Sequence, residues 1–147
     1  MKPSGAPITL SDEIAERVEE RIRRTIRGIE EMLREILERG EVEIDDVKEL
    51  LKALEPSFSL LSQRWVLEIL YLLLIRGSMR FNELKGVTGA SSRSLSSKLK
   101  ALVREGYVKR IVVEGPPLRI KYALTEKGRG AALLSLPVLY YIARQES

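Results

Sequence analysis

At 147 residues the chain has the size of one ordinary domain, and it contains neither cysteine nor histidine, which excludes thiolate and imidazole chemistry and any disulfide framework. An enzyme or metal site would have to rely on carboxylates, Lys, Ser or Tyr, so we predict a non-enzymatic protein without metal or cofactor. Charge is divided unevenly along the chain. Residues 1–55 contain 10 Lys and Arg against 15 Asp and Glu, whereas residues 56–147 contain 15 Lys and Arg against 6 Asp and Glu. The basic C-terminal part favours a polyanionic partner.

The N-terminal region predicts a short tail followed by a long amphipathic helix. Residues 1–10 contain three Pro and Gly residues and no apolar signal-peptide core, so we expect a flexible tail on a cytoplasmic protein. Ser11 is a suitable N-cap and Gly40 a suitable terminator. Between them, apolar residues recur every three or four positions: Ile14, Val18, Ile22, Ile26, Ile29, Leu33 and Ile36.

This helix of roughly 42 Å is too long for the remaining domain of about 90 residues to cover. Its stripe either meets another chain or folds back on its own domain as a surface helix. We assign residues 11–55 to a helical extension for dimerisation or partner binding, with a second helix from about Asp45 that ends at Pro56. Asp45 and Asp46 fit helix capping better than a metal site.

Residues 56–128 predict a winged helix-turn-helix domain. Residues 60–76 form an apolar central helix. Its longest apolar run, Val66–Ile75, contains Glu68 and is far short of the ~20 residues of a membrane span, so no membrane is expected. A short helix around residues 81–88, a turn at Gly89 and a helix from Ser92 to Glu105 capped by Ser91 give the helix-turn-helix. Two β-rich segments, 107–113 and 119–124, flank a Pro-containing loop and predict a hairpin. The fold class is therefore mainly α with a small β-hairpin (α+β), with long N-terminal and C-terminal helices.

Thr125 is the predicted cap of a last helix that begins at Glu126, and we assign residues 129–147 to dimerisation. Together with the N-terminal stripe it supplies the predicted dimer contacts: Ile22, Ile26, Ile29, Leu33, Ile36, Leu136, Leu139 and Tyr140.

The order of short motifs from Trp65 to Gly128 resembles the HxlR-type regulators, which are related to the MarR group. The motifs are Trp65 with Ile69-Leu70, residues 77–84, Ser91 with Leu95, Ser96 and Leu99, Leu102 with residues 105–108, and residues 122–128. The resemblance implies a transcriptional regulator. That family commonly carries a redox-sensing cysteine ahead of the core helix, whereas residues 58–62 here have none, so cysteine-based sensing is excluded.

The second helix of the motif has one apolar face and an opposite face of hydroxyls and cations, and no carboxylate lies between Ser91 and Arg104. Such a face suits the major groove, where Arg and Lys reach guanine and phosphates. Hairpin cations either contact phosphates or only keep a sheet edge soluble. The predicted DNA-binding residues are Arg80, Ser92, Arg93, Ser96, Ser97, Lys100, Arg104, Lys109, Arg110, Arg119 and Lys121.

We therefore predict a dimeric, sequence-specific regulator of double-stranded DNA. The recognition helix enters the major groove, and the wing lies on the backbone or in the minor groove. The alternatives are a winged-helix module that binds protein with incidental DNA contact and, least favoured, an enzyme. A small-molecule effector is left open as a further partner. The dominance of Arg and Glu, with one Asn and two Gln, favours an archaeal or thermophilic source.

Overall fold

The computed structural model describes residues 10–145, so the predicted flexible tail over residues 1–10 lies outside it except for Leu10. The predicted fold class is confirmed, with a small antiparallel sheet among helices. The elements in chain order are α1 (Asp12–Arg39), α2 (Ile44–Leu61), α3 (Val66–Arg76), β1 (Ser78–Arg80), α4 (Phe81–Thr88), α5 (Ser92–Arg104), β2 (Val108–Val113), β3 (Arg119–Leu124) and α6 (Glu126–Gln145).

The chain divides into two compact units. The first, Leu54–Val138, is called the winged-helix unit. The second joins the described residues up to Ala53 to those from Leu139 onwards, and from here on the name helical extension refers to this whole unit, including the end of α6. The helices α2 and α6 each contribute residues to both units.

The winged-helix unit contains the hydrophobic core. Its centre is α3, whose residues Val66, Ile69, Leu70 and Leu73 are buried against Leu84 of α4 and the inner face of α5. The helix is apolar because it is surrounded on most sides, as the sequence predicts. Burial of each such side chain contributes roughly 1.5–3 kcal/mol to the free energy of folding.

The helix α1 begins and ends at the predicted residues. The Ser11 hydroxyl accepts a hydrogen bond from the Ile14 N–H at 3.4 Å, and Gly40 takes the left-handed conformation with φ 65°. Unlike α3, however, α1 includes no buried residue over its 28 positions.

Two predicted helix boundaries are wrong. Pro56 does not end the second helix, because α2 continues through it to Leu61. An interior proline removes one backbone hydrogen bond and crowds the carbonyl four residues before it, but this local cost is opposed by the turn that follows, which buries Leu60 in the core.

The predicted single helix over residues 60–76 is interrupted between Leu61 and Val66. Here the Gln63 N–H bonds to the Leu60 carbonyl and the Val66 N–H to the Gln63 carbonyl, while Trp65 takes a left-handed φ of 76° that an α-helix cannot contain. The Arg64 guanidinium lies 4.4 Å from the centre of the Trp65 ring. The chain therefore turns at this point, and α3 starts afresh.

The predicted hairpin is confirmed and acquires a third strand. The sheet order is β1-β3-β2, with both pairs antiparallel. Three residues of β1 pair with β3, so Met79 lies opposite Tyr122 and Arg80 opposite Lys121. A strand this short is below the length at which alternation is visible in a sequence.

The start of α6 packs closely on the winged-helix unit. The Thr125 hydroxyl accepts from the Gly128 N–H at 3.0 Å, which confirms its predicted capping role. A Cβ on Gly128 would lie 1.9 Å from the Tyr107 carbonyl oxygen, so only glycine permits this contact.

Within residues 10–145, no single helix is both long and apolar enough to cross a membrane. Only α2 and α3 taken together meet that criterion of length and composition, and they are bent by 75° at their junction.

Candidate nucleic-acid interface

The turn between α4 and α5 fixes the orientation of the second helix. Gly89 adopts a left-handed φ of 72°, and the buried Thr88 hydroxyl donates to the Leu84 carbonyl at 2.7 Å while accepting from the Ala90 N–H at 3.2 Å. Ser91 then caps α5 by accepting from the Ser94 N–H at 3.1 Å. This is a tightly connected helix-turn-helix, as the sequence predicts.

The two sides of α5 are chemically distinct. Leu95, Leu99 and Leu102 are buried in the core. The opposite side, called the reading face, consists of predicted DNA-binding residues: Ser92, Arg93, Ser97, Lys100 and Arg104, all exposed, with Ser96 half-buried beside them.

Within residues 10–145, most cations of the reading face are free of carboxylate partners and can contact a ligand. Among the described residues, its one ion pair joins Arg104 Nε to the Glu105 carboxylate at 3.3 Å. At the flank of the helix, Lys98 donates to the Gln63 side chain at 2.8 Å and so ties α5 to the turn before α3. Sequence reasoning did not foresee this tie, which joins residues 35 positions apart.

Strand register separates the predicted wing cations into two groups. Directly paired residues share a sheet face, and alternate residues along a strand lie on opposite faces. Arg110 pairs with Tyr122, whereas Lys109 pairs with Ala123, Lys121 with both Ile111 and Arg80, and Arg119 with Val113. The outer cation face is therefore formed by Arg80, Lys109, Arg119 and Lys121, and Arg110 lies on the other side.

The outer cation face contains like charges in direct apposition. Arg80 and Lys121 are cross-strand partners, an arrangement that destabilises a sheet unless an anion offsets it. Among the described residues, none of these four cations forms an ion pair. A phosphate backbone is an anion of the required kind.

Arg110 faces α5 across a cleft. The α5–sheet cleft, of about 410 Å³, is lined by Ser96, Leu99, Lys100, Val103, Arg104, Arg110 and Tyr122. Its floor is apolar and its rim holds three cations. The sequence analysis missed Val103 and Tyr122 and grouped Arg110 with the wing, although the period of two along β2 separates Arg110 from Lys109.

The predicted dimer residues remain largely uncovered in the single chain. Ile26, Ile29, Leu33, Leu136 and Leu139 are exposed, and the other three are half-buried. Within the helical extension, Ile22, Ile26 and Tyr140 line one groove of about 310 Å³, beside which Arg144 contacts Glu19.

A second exposed apolar surface lies on α2. Its members share one side of the helix and were not in the predicted dimer set: Ile44, Val47, Leu50, Leu51, Leu54 and Phe58. Their spacing was visible in the sequence, but their exposure was not.

Comparison with known proteins finds a matching helix-turn-helix family and similar transcriptional regulators. The HxlR-like helix-turn-helix family matches residues 60–139. YvaP of Bacillus subtilis strain 168, described as an uncharacterised HTH-type transcriptional regulator, is 41% identical over 97 residues, which cover 65% of this chain and 85% of YvaP. Diamide-treated YodB from B. subtilis has a TM-score of 0.52 at 32% identity, covering 63% of this chain and 89% of YodB. Quinone-bound YodB has a TM-score of 0.54 at 30% identity, covering 63% and 96%.

Proposed function

The chain belongs to the HxlR-like helix-turn-helix family and is a transcriptional regulator of the helix-turn-helix type, and on that premise we propose that it binds specific duplex DNA as a homodimer. The recognition helix α5 enters the major groove with its reading face, and the outer cation face contacts phosphates at the backbone or the minor groove.

One observation carries this proposal: the exposed side of α5 presents hydroxyls and cations without a carboxylate between Ser91 and Arg104. Folded surfaces ordinarily mix both signs of charge. A surface of cations and hydroxyls alone suits phosphates and the acceptor atoms of guanine. The Arg93 and Lys100 side chains are the foremost candidates for base contacts because both are exposed and neither forms an ion pair with a described residue.

The dimer is supported by the uncovered stripe of α1. A single winged helix contacts few base pairs, and two copies on half-sites ~34–36 Å apart would double the readout. The acidic character of residues 1–55 favours this region as the dimer interface, because it keeps the contact between the two protomers away from their basic DNA-binding surfaces.

An effector remains among the proposed partners. The relative YodB is known in a quinone-bound form. Because this chain contains no cysteine, any effector must be recognised without a thiolate adduct or disulfide of the chain's own.

The test is selection of bound duplexes from a random library, followed by binding measurements at two salt concentrations. Wild-type protein should enrich one motif, and its affinity should fall steeply with salt. Arg93→Ala with Lys100→Ala should cost roughly 1–3 kcal/mol for each lost base contact and abolish the preference for that motif.

The control for charge is Arg27→Gln with Arg34→Gln, which removes two positive charges from exposed positions of α1 that form no ion pair with described residues. If the folded Arg93→Ala, Lys100→Ala variant keeps the sequence selectivity of the wild type, α5 is not the helix that recognises the bases. Failure of the wild type to bind duplexes at all would favour the protein-binding alternative.

A further inference from the structure

Arg110 is separated from the other hairpin cations by the sheet itself. Its cross-strand partner is Tyr122, and both line the α5–sheet cleft, whereas Lys109 and Ile111 on either side of it belong to the opposite face. A side chain on this face can act together with α5, but not with the outer cation face.

The cleft combines two kinds of surface that a bare anion site would not need. Leu99, Val103 and Tyr122 provide an apolar floor, and Lys100, Arg104 and Arg110 provide positive charge at the rim. A deoxyribose ring is largely apolar and is attached to a phosphate. One sugar–phosphate unit therefore matches the floor and the rim at once.

Two of the three rim cations lack a carboxylate partner within the described chain, and the third is only partly engaged. Neither Lys100 nor Arg110 forms an ion pair with a described carboxylate, and Arg104 is engaged only through Nε. Three cations around one cleft repel one another, so an anion between them lowers their energy. Lys100 and Arg104 also belong to the reading face, which makes the cleft continuous with the surface proposed to enter the major groove.

We propose that the α5–sheet cleft is a clamp for one sugar–phosphate unit of the DNA strand that borders the groove occupied by α5. Arg110 and Arg104 hold the phosphate, Lys100 at the edge of the cleft stays available to the bases, and Val103 with Tyr122 packs against the sugar. Arg110 thereby sets the docking of the recognition helix, a role distinct from that of Arg119 and Lys121. This inference rests on the proposed function, since it assigns part of the same DNA contact.

The experiment pairs protein variants with single methylphosphonate substitutions, which neutralise one phosphate at a time along the selected duplex. For wild-type protein, neutralising the clamped phosphate should weaken binding roughly tenfold or more, as expected for loss of charge-assisted hydrogen bonds. Arg110→Ala should weaken binding to the unmodified duplex by a similar factor and lose most of the sensitivity to that one substitution, since only Arg104 remains to hold the phosphate.

Two controls define the site. Arg119→Ala removes the same charge from the outer cation face and should retain full sensitivity to the clamped phosphate while losing sensitivity to a different one. Arg110→Lys keeps the charge and should restore part of the affinity. Arg110→Gln replaces Arg110→Ala if circular dichroism shows that the alanine variant does not fold.

The possible outcomes distinguish failure of the clamp from failure of the proposed DNA-binding function. If duplexes bind but Arg110 couples to no phosphate, or to the same phosphate as Arg119, the clamp is wrong and the proposed function stands. If wild-type protein shows no salt-dependent binding to any duplex, both are overturned.

Discussion

In the winged-helix unit, Ile69, Leu70 and Leu73 of α3 are at most 1% exposed, whereas Ile29, Leu33 and Leu37 of α1 are 52–60% exposed. The first unit completes its core within one chain. The helical extension has comparable apolar content and no matching cover. The two regions therefore derive stability from different sources: internal packing in the winged-helix unit, and local helix formation together with the proposed partner chain in the helical extension.

The largest expected effect is loss of the proposed dimer while the winged-helix unit stays folded. Ile29→Glu with Leu33→Glu should convert the proposed dimer into monomers without unfolding the winged-helix unit, because charges would enter the interface and each buried Ile or Leu contributes roughly 1.5–3 kcal/mol. Self-association should weaken by at least about two orders of magnitude in Kd. Light scattering at micromolar concentration measures it, with Arg27→Gln and Arg34→Gln as the control on the polar side of the same helix. If the variant stays dimeric, the dimer interface lies on another surface, and the apolar side of α2 is the next candidate.

A smaller effect is expected within the winged-helix unit, where Gly128 touches the Tyr107 carbonyl. Gly128→Ala should destabilise the protein by roughly 1–3 kcal/mol, because the added Cβ would force backbone atoms apart. Gly130→Ala is the matched control: its Cβ would meet nothing within 4 Å, so it should be neutral or stabilise α6 by roughly 0.5–1 kcal/mol. Urea denaturation compares the two. Equal stability of both variants would show that the start of α6 can move away from the Tyr107 carbonyl.

The smallest effect concerns the charged side of the helical extension. Hydrogen bonds from Arg23 at 3.1 Å and Arg24 at 3.0 Å hold the pKa of the Glu20 carboxyl below its ordinary value of 4.5. A lowered pKa in the folded state means that the stabilisation is present above pH 4.5 and is lost as the pH falls through the folded value.

Glu20→Gln should therefore lower the helix content slightly at pH 7 and leave it equal to wild type at pH 3, as followed by circular dichroism. Glu16→Gln, at a position that pairs with no described cation, should show a smaller difference at pH 7. A Glu20 effect that persists unchanged at pH 3 would mean that its charge is not the cause.

The parts of the fold that were predictable are those governed by local chemistry. Ser11, Ser91 and Thr125 act as caps, Gly40 ends α1, and β3 occupies residues 119–124, because each depends on a few neighbouring residues. Pro56 and the 60–76 segment were misjudged because tertiary burial of Leu60 and the turn at Trp65 override the local signal. The short strand β1 exists only through its pairing with β3.

The same division applies to the candidate site. The members of the reading face follow from helical spacing, and the structure brings them together on α5. The assignment of Arg110 to the α5–sheet cleft required strand register, and the contribution of Tyr122 required the cleft itself. The DNA contacts of all these residues stay predictions until the measurements above are made.

The turn at Trp65 gives the molecule a built-in optical reporter. Trp65 is the only tryptophan in the chain; it is half-buried at the junction of α2 and α3 and is stacked against Arg64. Its emission therefore comes from a single known place, two residues after Gln63, whose side chain is hydrogen-bonded to Lys98 of the recognition helix. Intrinsic fluorescence can follow both the unfolding of this junction and any movement of α5 on adding DNA, with no label attached.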